Sequence, residues 1–194
     1  MANKGRASGP PGFVRIIGGS LRGRRLPVPV VPDLRPSPDR VRVTLFNWLA
    51  RLLPGARCLD LFAGTGALGV EALSRGAARA VFVERSAVAA QALRQQCVLL
   101  GVTGAEIFTL EVQKFLGRTP EPFDVVFIDP PFQQQQGPAI LAALATGWVS
   151  PGGHVYWESA AHDPTDCGPG WELIRDKTVA GVRSRLLRWD ACLS

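Results

Sequence analysis

Stretches with the pattern of buried strands alternate with stretches of helical periodicity over most of the chain, from residue 57 onward. Strands are predicted at residues 57–62, 79–84, 106–110, 123–129 and 153–158. Helices are predicted between them at residues 67–75, 86–100 and 138–145, and Gly76 and Gly101 close the first two. Because this alternation is typical of parallel strands joined by crossover helices, it predicts an α/β fold whose mostly parallel sheet is covered on both faces.

The two ends of the chain depart from this alternation. Residues 171–176 and 183–189 are spaced like a hairpin, which would give the sheet two antiparallel strands at its end and seven strands in all. Near the other end, Ser37, Pro38 and Asp39 form a helix-start signal, and apolar residues follow it at helical spacing. They predict an amphipathic helix over residues 38–53.

The basic charge of the chain is concentrated at its N-terminus. We expect residues 1–12 to be a disordered tail and residues 13–35 to form a basic hairpin or arm around Gly18 and Gly19, before a main domain over residues 36–194. Residues 1–57 contain eleven Lys or Arg against two Asp, a net charge of +9, whereas the whole chain carries +6. This clustering favours a polyanion as partner, and a solvated basic surface is the alternative.

The cysteines and histidines form no metal-binding or redox motif. The four cysteines are widely separated, and neither His154 nor His162 has a metal-binding cluster or a nucleophile around it. We therefore expect no metal, and free thiols in a reducing cytoplasm. The N-terminus lacks an apolar leader, and the chain has no run of about 18 apolar residues, so we expect neither export nor membrane insertion.

The tetrapeptide Asp129-Pro130-Pro131-Phe132 follows the apolar run of the fourth predicted strand. Two prolines in succession end the strand and fix the local backbone, which leaves a carboxylate and an aromatic ring on a rigid corner. For the tetrapeptide alone, an ordinary proline turn is the alternative, and Phe132 alone could equally be a core aromatic.

A glycine-rich turn follows the first predicted strand. Gly64, Gly66 and Gly69 match the spacing of dinucleotide-binding turns, and Glu84, at the end of the next strand, suits ribose hydroxyl groups. A nicotinamide cofactor would fit this pattern. Asp60 instead favours a cofactor with a cationic end, such as the ammonium and sulfonium of S-adenosylmethionine, although it could simply cap the turn.

Several motifs, in one order, resemble a known family. Residues 60–66, Glu84 and residues 129–132 resemble the S-adenosylmethionine-dependent amino-methyltransferases. The segments Arg15-Ile-Ile-Gly-Gly19, Arg22-Gly-Arg-Arg-Leu26, Arg35-Pro36, Asp39-Arg-Val-Arg42 and Thr44-Leu-Phe-Asn-Trp48 are similar to those of the bacterial 16S ribosomal RNA guanine-N2 methyltransferases of the small subunit. This resemblance implies a Rossmann-like methyltransferase fold and S-adenosylmethionine as cofactor, with S-adenosylhomocysteine as product. It also implies 16S ribosomal RNA, within an assembled or assembling small subunit, as the partner of a monomeric enzyme.

The resemblance gives roles to individual residues. The residues implied to hold and stack the target base, and so to be catalytic, are Asp129, Pro130, Pro131 and Phe132. The cofactor-binding residues would be Arg35, Arg40, Asp60, Phe62, Ala63, Gly64, Thr65, Gly66, Glu84, Arg85, Glu111, Val112 and Asp129. The candidates for RNA contacts are Arg15, Arg22, Arg24, Arg25 and Arg42. For Arg40, a solvated helix face is the alternative.

The chain departs from the family pattern at two positions. Val43 stands where the family commonly has Glu, and Glu111 stands where an Asp or Asn usually follows the third strand. The first change removes one polar contact near the methionine end of the cofactor. The second should be tolerated if residue 111 acts mainly through its backbone, near the adenine.

The expected chemistry is methyl transfer to the exocyclic N2 amine of a guanine. The Asp129 carboxylate and the Pro130 carbonyl are both hydrogen-bond acceptors, and they could hold the two hydrogens of that amine during attack on the methyl group. The same tetrapeptide serves DNA adenine-N6 and cytosine-N4 methyltransferases, which remain an alternative. Two further alternatives are a non-catalytic RNA-binding assembly factor and a nicotinamide-dependent reductase.

Overall fold

The computed structural model describes residues 12–29, 39–130, 136–164, 166–179 and 181–190. A two-stranded antiparallel hairpin, β1 (Phe13–Arg15) and β2 (Arg25–Pro27), precedes the sheet. The sheet strands are β3 (Arg57–Asp60), β4 (Arg79–Val83), β5 (Ala105–Phe108), β6 (Phe123–Ile128), β7 (Val149–Ala160), β8 (Trp171–Val179) and β9 (Val182–Trp189). The helices are α1 (Asp39–Trp48), α2 (Ala67–Ser74), α3 (Ala87–Leu100), α4 (Val112–Leu116) and α5 (Gly137–Leu144).

The seven strands lie in the order β5-β4-β3-β6-β7-β9-β8. Strands β3 to β7 are parallel to one another, and β9 pairs antiparallel with both β7 and β8. The predicted fold class is therefore confirmed, including the antiparallel end. No helix in the described ranges is both long and apolar enough to cross a membrane.

The sheet has an apolar core on each face because the middle residues of the central strands are apolar on both sides of the sheet. Side chains of α1, α2 and α3 pack on one face, where Phe46 of α1 lies against Phe127 of β6, with ring centroids 6.3 Å apart. Side chains of α4 and α5 cover the other face, where Phe115 packs against Trp148. Val125, Val126 and Phe127 are fully buried, as expected for the middle of a parallel sheet.

Helix α1 ends at Trp48 rather than near residue 53, and two further elements differ from the sequence prediction. Helix α4 was not predicted, because five residues are too few for helical periodicity to stand out. Strand β7 begins at Val149 rather than near residue 153, although Pro151 and Gly152 resemble a turn. The sheet accommodates them at an irregularity, where the pairing of β6 with β7 shifts register between Phe123 and Val125. The predicted cap at Ser37 and Pro38, and the tail up to residue 11, lie outside the described residues.

The N-terminal hairpin is docked on the domain and is not a free arm. Val14, Ile16 and Leu26 are buried in the core that also contains α1 and α2. The amides of Ile17 and Gly18 donate to the two carboxylate oxygens of Glu71 in α2, each at 2.7 Å. These contacts hold the segment that follows β1 directly against the middle of α2.

The tip of the hairpin lies against the last residue of α2. The amide of Ser20 donates to the Ser74 carbonyl at 2.8 Å, and the Ser74 hydroxyl donates to the Gly18 carbonyl at 2.6 Å. Gly19 has φ of +76°, and a Cβ atom there would lie 1.8 Å from the Ser74 carbonyl oxygen. Only glycine fits this contact.

The prediction that Arg42 contacts RNA is contradicted by its burial. The side chain is 0% exposed, and its Nη2 donates to the Arg15 carbonyl at 2.8 Å and to Asp39 Oδ1 at 2.7 Å. Its Nη1 lies 4.0 Å from Glu71 Oε2, and that carboxylate is also fully buried. Arg42 therefore joins the hairpin, α1 and α2 inside the protein, where a phosphate cannot reach it.

Candidate active site

The candidate site lies at the carboxyl ends of the central strands. Strand β3 lies between β4 and β6: the chain builds the sheet outward from β3 through β4 and β5, and then returns to place β6 and β7 on the other side of β3. Such a reversal of strand order is where α/β sheets form a ligand crevice. Asp60, Phe127 and Tyr156 are at the same level on β3, β6 and β7. Asp129 comes two residues after Phe127, and therefore lies just beyond the strand end on the same face.

Asp60 is a buried carboxylate whose two oxygens differ in their hydrogen bonding. It is 1% exposed, and Oδ2 accepts a hydrogen bond from the Gly69 amide at 3.1 Å. Oδ1 has no hydrogen-bond partner among the described residues. Burial raises the pKa of Asp60 to about 7, against the lowering effects of the Gly69 and Phe62 amides, and the charges of Asp129 and Glu84 raise it further. A cation placed beside Oδ1 would relieve all three unfavourable effects.

The glycine-rich turn has the backbone that its sequence predicts. Gly64 and Gly66 have φ of +53° and +77°, a region that glycine adopts without strain. At Gly69 an added Cβ atom would lie 2.2 Å from the Phe82 ring, so this glycine allows α2 to pack closely on β4. The predicted cofactor residues Ala63, Gly64, Thr65 and Gly66 are all buried, and Phe62 is half-buried.

Glu84 holds the turn from the neighbouring strand. Its Oε2 accepts a hydrogen bond from the Gly64 amide at 2.9 Å, and its Oε1 accepts one from the Ser86 amide at 2.7 Å. The carboxylate is half-buried, and each oxygen has a further lone pair that could accept another hydrogen bond. The residue predicted to bind ribose thus also joins the glycine turn to the start of α3.

A cavity lies beside this turn, at the ends of β3, β4 and β5. Four predicted cofactor residues, Phe62, Arg85, Glu111 and Val112, are part of its wall. The full lining is Leu61, Phe62, Val83, Arg85, Leu110, Glu111, Val112, Gln113 and Gln136. Apolar side chains form its inner part, whereas Arg85 and Glu111 are exposed at its rim. Such a slot suits a flat, weakly polar ring with hydrogen-bonding edges, such as adenine.

Asp129 and Pro130 follow the end of β6, where the sequence predicts the catalytic corner. Asp129 is half-buried and Pro130 is buried. The charge of Asp129 acts on Asp60 and on the Tyr156 hydroxyl, which places all three groups in one neighbourhood. Pro131 and Phe132 lie outside the described residues, and so does Arg35.

A buried hydrogen-bonded group next to Asp129 was missed by the sequence analysis. The Tyr156 hydroxyl donates to Glu158 Oε1 at 2.7 Å and lies 3.0 Å from the Ser184 hydroxyl. Burial is the main cause that raises the pKa of Tyr156 far above its usual value, and the Glu158 charge adds to it. Glu158 is 1% exposed and comes one position after Trp157, the partner of Ile128. The sequence signal that could have identified this group is Glu158, an acidic residue at the end of the apolar strand predicted at residues 153–158.

Glu71 was missed for a similar reason. It is a single acid within the apolar helix α2, and it is fully buried. A charged residue in an otherwise apolar helix indicates a buried partner, but the sequence does not show that the partner is a hairpin more than fifty residues earlier.

The structure separates the predicted arginines into different environments. Arg40 is exposed in the first turn of α1, and Arg85 is exposed at the cavity rim. The exposed hairpin arginines are Arg15, Arg22, Arg24 and Arg25. Arg22 and Arg24 belong to the tip near Ser74, whereas Arg15 and Arg25 face each other across the strands.

The sequence and the fold both match known proteins. The family model described as "Conserved hypothetical protein 95" matches residues 14–188. The Ribosomal RNA small subunit methyltransferase D of Escherichia coli is 42% identical over 182 residues, which are 93% of this chain and 92% of that protein. The protein of the same name from Haemophilus influenzae is 39% identical, over 90% of this chain and 93% of its own length.

A solved structure shares the whole architecture. The Escherichia coli protein yhhF superimposes with a TM-score of 0.86 at 40% identity, and the match covers 93% of this chain and 99% of that chain. Apart from Phe13 and Trp189, the first and last residues of the strands, the hairpin, the seven-stranded sheet and the candidate site fall within residues 14–188, the range that the family model spans.

Proposed function

The chain belongs to the Conserved hypothetical protein 95 family, together with the small-subunit ribosomal RNA methyltransferases D, and we propose that it methylates a guanine of 16S ribosomal RNA at N2. The methyl donor is S-adenosylmethionine, and the substrate is a small ribosomal subunit during or after its assembly in the cytoplasm. The observation that carries this proposal is the group of carboxylates Asp60, Glu84 and Asp129 at the ends of neighbouring strands, with one buried Asp60 oxygen that has no described partner.

The residues of the crevice fit S-adenosylmethionine. Asp60 Oδ1 would accept a hydrogen bond from the ammonium group, since a buried carboxylate beside Asp129 and Glu84 is stabilised by a cation. Glu84 would bind the ribose hydroxyls, and the slot between Phe62 and Val112 would hold the adenine. When bound, this cofactor supplies an electrophilic methyl group on a sulfonium.

Asp129 and Pro130 would orient the nucleophile. The N2 lone pair of guanine is delocalised into the ring, so the amine reacts only when its hydrogens are held and the nitrogen becomes more tetrahedral. The Asp129 carboxylate and the Pro130 carbonyl can accept these two N–H groups, and they then stabilise the positive charge that develops on the nitrogen. Such positioning contributes up to about 7–11 kcal/mol in model reactions. Phe132 would stack on a base that has left its helix.

The proposal is tested by replacing Asp129 with Asn in a single-turnover assay on small subunits from cells that lack this activity. Asn keeps the size of the side chain and one acceptor oxygen but lacks the negative charge that stabilises the developing positive charge on the nitrogen, so we expect the rate to fall by about 10²-fold or more. Calorimetry should show that cofactor binding persists. Asp124→Asn is the matched control, because Asp124 is on β6, the strand that leads to Asp129, and binds only the Arg57 amide and the Ser150 hydroxyl among its described hydrogen bonds.

The identity of the product separates the proposal from its alternatives. Nucleoside digestion and mass spectrometry of the methylated RNA should give N2-methylguanosine. Methylated adenine or cytosine in DNA would contradict the proposal, and an unchanged rate for Asp129→Asn would contradict the role of Asp129.

A further inference from the structure

The hairpin of β1 and β2 has an outer face that is exposed to solvent. Val14 and Leu26 point into the core, and the residues on either side of them point outward. Because Phe13 pairs with Pro27 and Arg15 pairs with Arg25, these four exposed residues form one compact patch. We call them the outer hairpin face.

Phe13 is the unusual member of this face. Its side chain is 51% exposed, and the guanidinium carbon of Arg25 lies 4.2 Å from the centre of its ring. This contact fixes the ring and brings a positive charge to it, but half of the side chain stays in contact with solvent. An exposed aromatic ring flanked by two arginines is the combination that binds unpaired nucleotides, by base stacking together with phosphate contacts.

The outer hairpin face is held rigidly and lies next to the start of α1. Arg42, in the first turn of α1, donates to the carbonyl of Arg15, and Glu71 binds the two amides that follow β1. Phe13 and Pro27 form the open end of the hairpin, and the tip is fixed at Ser74. A ligand on this face would therefore bind a surface that needs little reordering, which lowers the entropy cost of binding.

We propose that the outer hairpin face binds an unpaired nucleotide of the RNA substrate, with its base stacked on Phe13 and its phosphate held by Arg15 or Arg25. This inference rests on the proposed function, because it assumes that the substrate is RNA. A guanine can reach Asp129 only after leaving its helix, so unpaired nucleotides must lie near the target. A stacking residue is indifferent to sequence, since every base has a flat face.

Base stacking and phosphate contacts can be distinguished by how RNA affinity depends on salt concentration, because only phosphate contacts release counterions. The test compares Phe13→Leu, Phe13→Tyr and Arg15→Ala in binding to a short single-stranded RNA and to a duplex of the same length. Phe13→Leu should weaken single-stranded binding about fivefold or more, leave duplex binding unchanged, and leave the dependence of affinity on salt as in the wild type. Phe13→Tyr should keep the affinity. Arg15→Ala should instead reduce the salt dependence by about 0.7 in log–log slope, the single-strand value for one lost phosphate contact.

Two controls keep the result specific. Leu99→Ala changes another exposed apolar side chain, 71% exposed on α3, and should leave RNA binding unchanged. Thermal unfolding of Phe13→Leu should match the wild type, which shows that the hairpin remains docked. Wild-type affinity for single-stranded RNA in Phe13→Leu would overturn this inference and leave the proposed function standing. If the wild-type enzyme did not methylate guanine in small subunits, that result would instead overturn the proposed function.

Discussion

The Glu84 carboxylate accepts a hydrogen bond from the backbone amide of Gly64, twenty residues earlier, at 2.9 Å. The contact joins the end of β4 to the turn after β3, and the second carboxylate oxygen binds the Ser86 amide at the start of α3. One side chain therefore fixes the shape of the crevice on two sides.

Replacing Glu84 with Ala should loosen this turn and weaken cofactor binding. Both amides lose a charged acceptor, so we expect the free energy of unfolding to fall by about 1–3 kcal/mol. Cofactor affinity, measured by calorimetry, should fall by about tenfold or more. Glu84→Gln keeps one acceptor oxygen and should recover part of both losses. Equal behaviour of the Gln and Ala variants would show that the two amide contacts do not matter.

Asp60 predicts a pH dependence of stability in the absence of cofactor. Burial raises its pKa from 3.8 to about 7, so between these values the folded chain holds a proton that the unfolded chain has lost. The free energy of unfolding should therefore fall as the pH rises from about 4 to about 7, and level off above it. Urea unfolding at a series of pH values measures this, and Asp60→Asn should remove the contribution.

Cofactor binding should show the opposite trend with pH. Only the ionised Asp60 attracts an ammonium group, so affinity should rise as the pH approaches about 7, and it should fall again above about pH 8, where the ammonium group of the cofactor loses its proton. Titration calorimetry in buffers of different ionisation enthalpy should detect proton release below that pH. The same pH profile in Asp60→Asn would contradict a contact between this carboxylate and the cofactor.

Glu71→Ala should be far more damaging than the loss of an exposed acid. It leaves Arg42 buried without this carboxylate and removes the acceptor of the Ile17 and Gly18 amides, which costs about 3–5 kcal/mol in comparable sites. Glu121→Ala is the control, because Glu121 is 41% exposed and pairs with Arg57 and Arg79 near the surface, where such pairs contribute about 0–1 kcal/mol. If chemical denaturation gave similar losses in the free energy of unfolding for Glu71→Ala and Glu121→Ala, buried Glu71 would not be what holds the hairpin.

The arginines of the hairpin tip should contribute to RNA affinity through charge alone. Arg24→Ala should weaken binding and reduce the slope of log affinity against log salt by about 0.7–0.9 for one lost phosphate contact. Filter binding at several salt concentrations measures the slope. Arg51→Ala removes an exposed arginine outside the hairpin and should leave the slope unchanged. If Arg24→Ala kept the wild-type slope of log affinity against log salt, a contact between Arg24 and an RNA phosphate would be contradicted.

Local patterns predicted most of the fold and much of the crevice. The strand at residues 123–129 was clear because a parallel strand buried on both faces is apolar throughout, and the turn around Gly64 was clear because its backbone requires glycine. Helix α4 and the start of β7 were not predicted, because one is too short for a period and the other contains Pro151 and Gly152 within a strand. In both cases tertiary packing decides the local structure.

The sequence by itself determined the order of strands and helices, the glycine turn and the acids that end β3, β4 and β6, because each depends on neighbouring residues. Only the tertiary structure decided the role of Arg42. Its position in a basic segment predicted an RNA contact, but the chain folds Glu71 and the Arg15 carbonyl around it. A charge becomes structural or functional according to whether distant segments bury it, and the sequence around Arg42 does not show which segments those are.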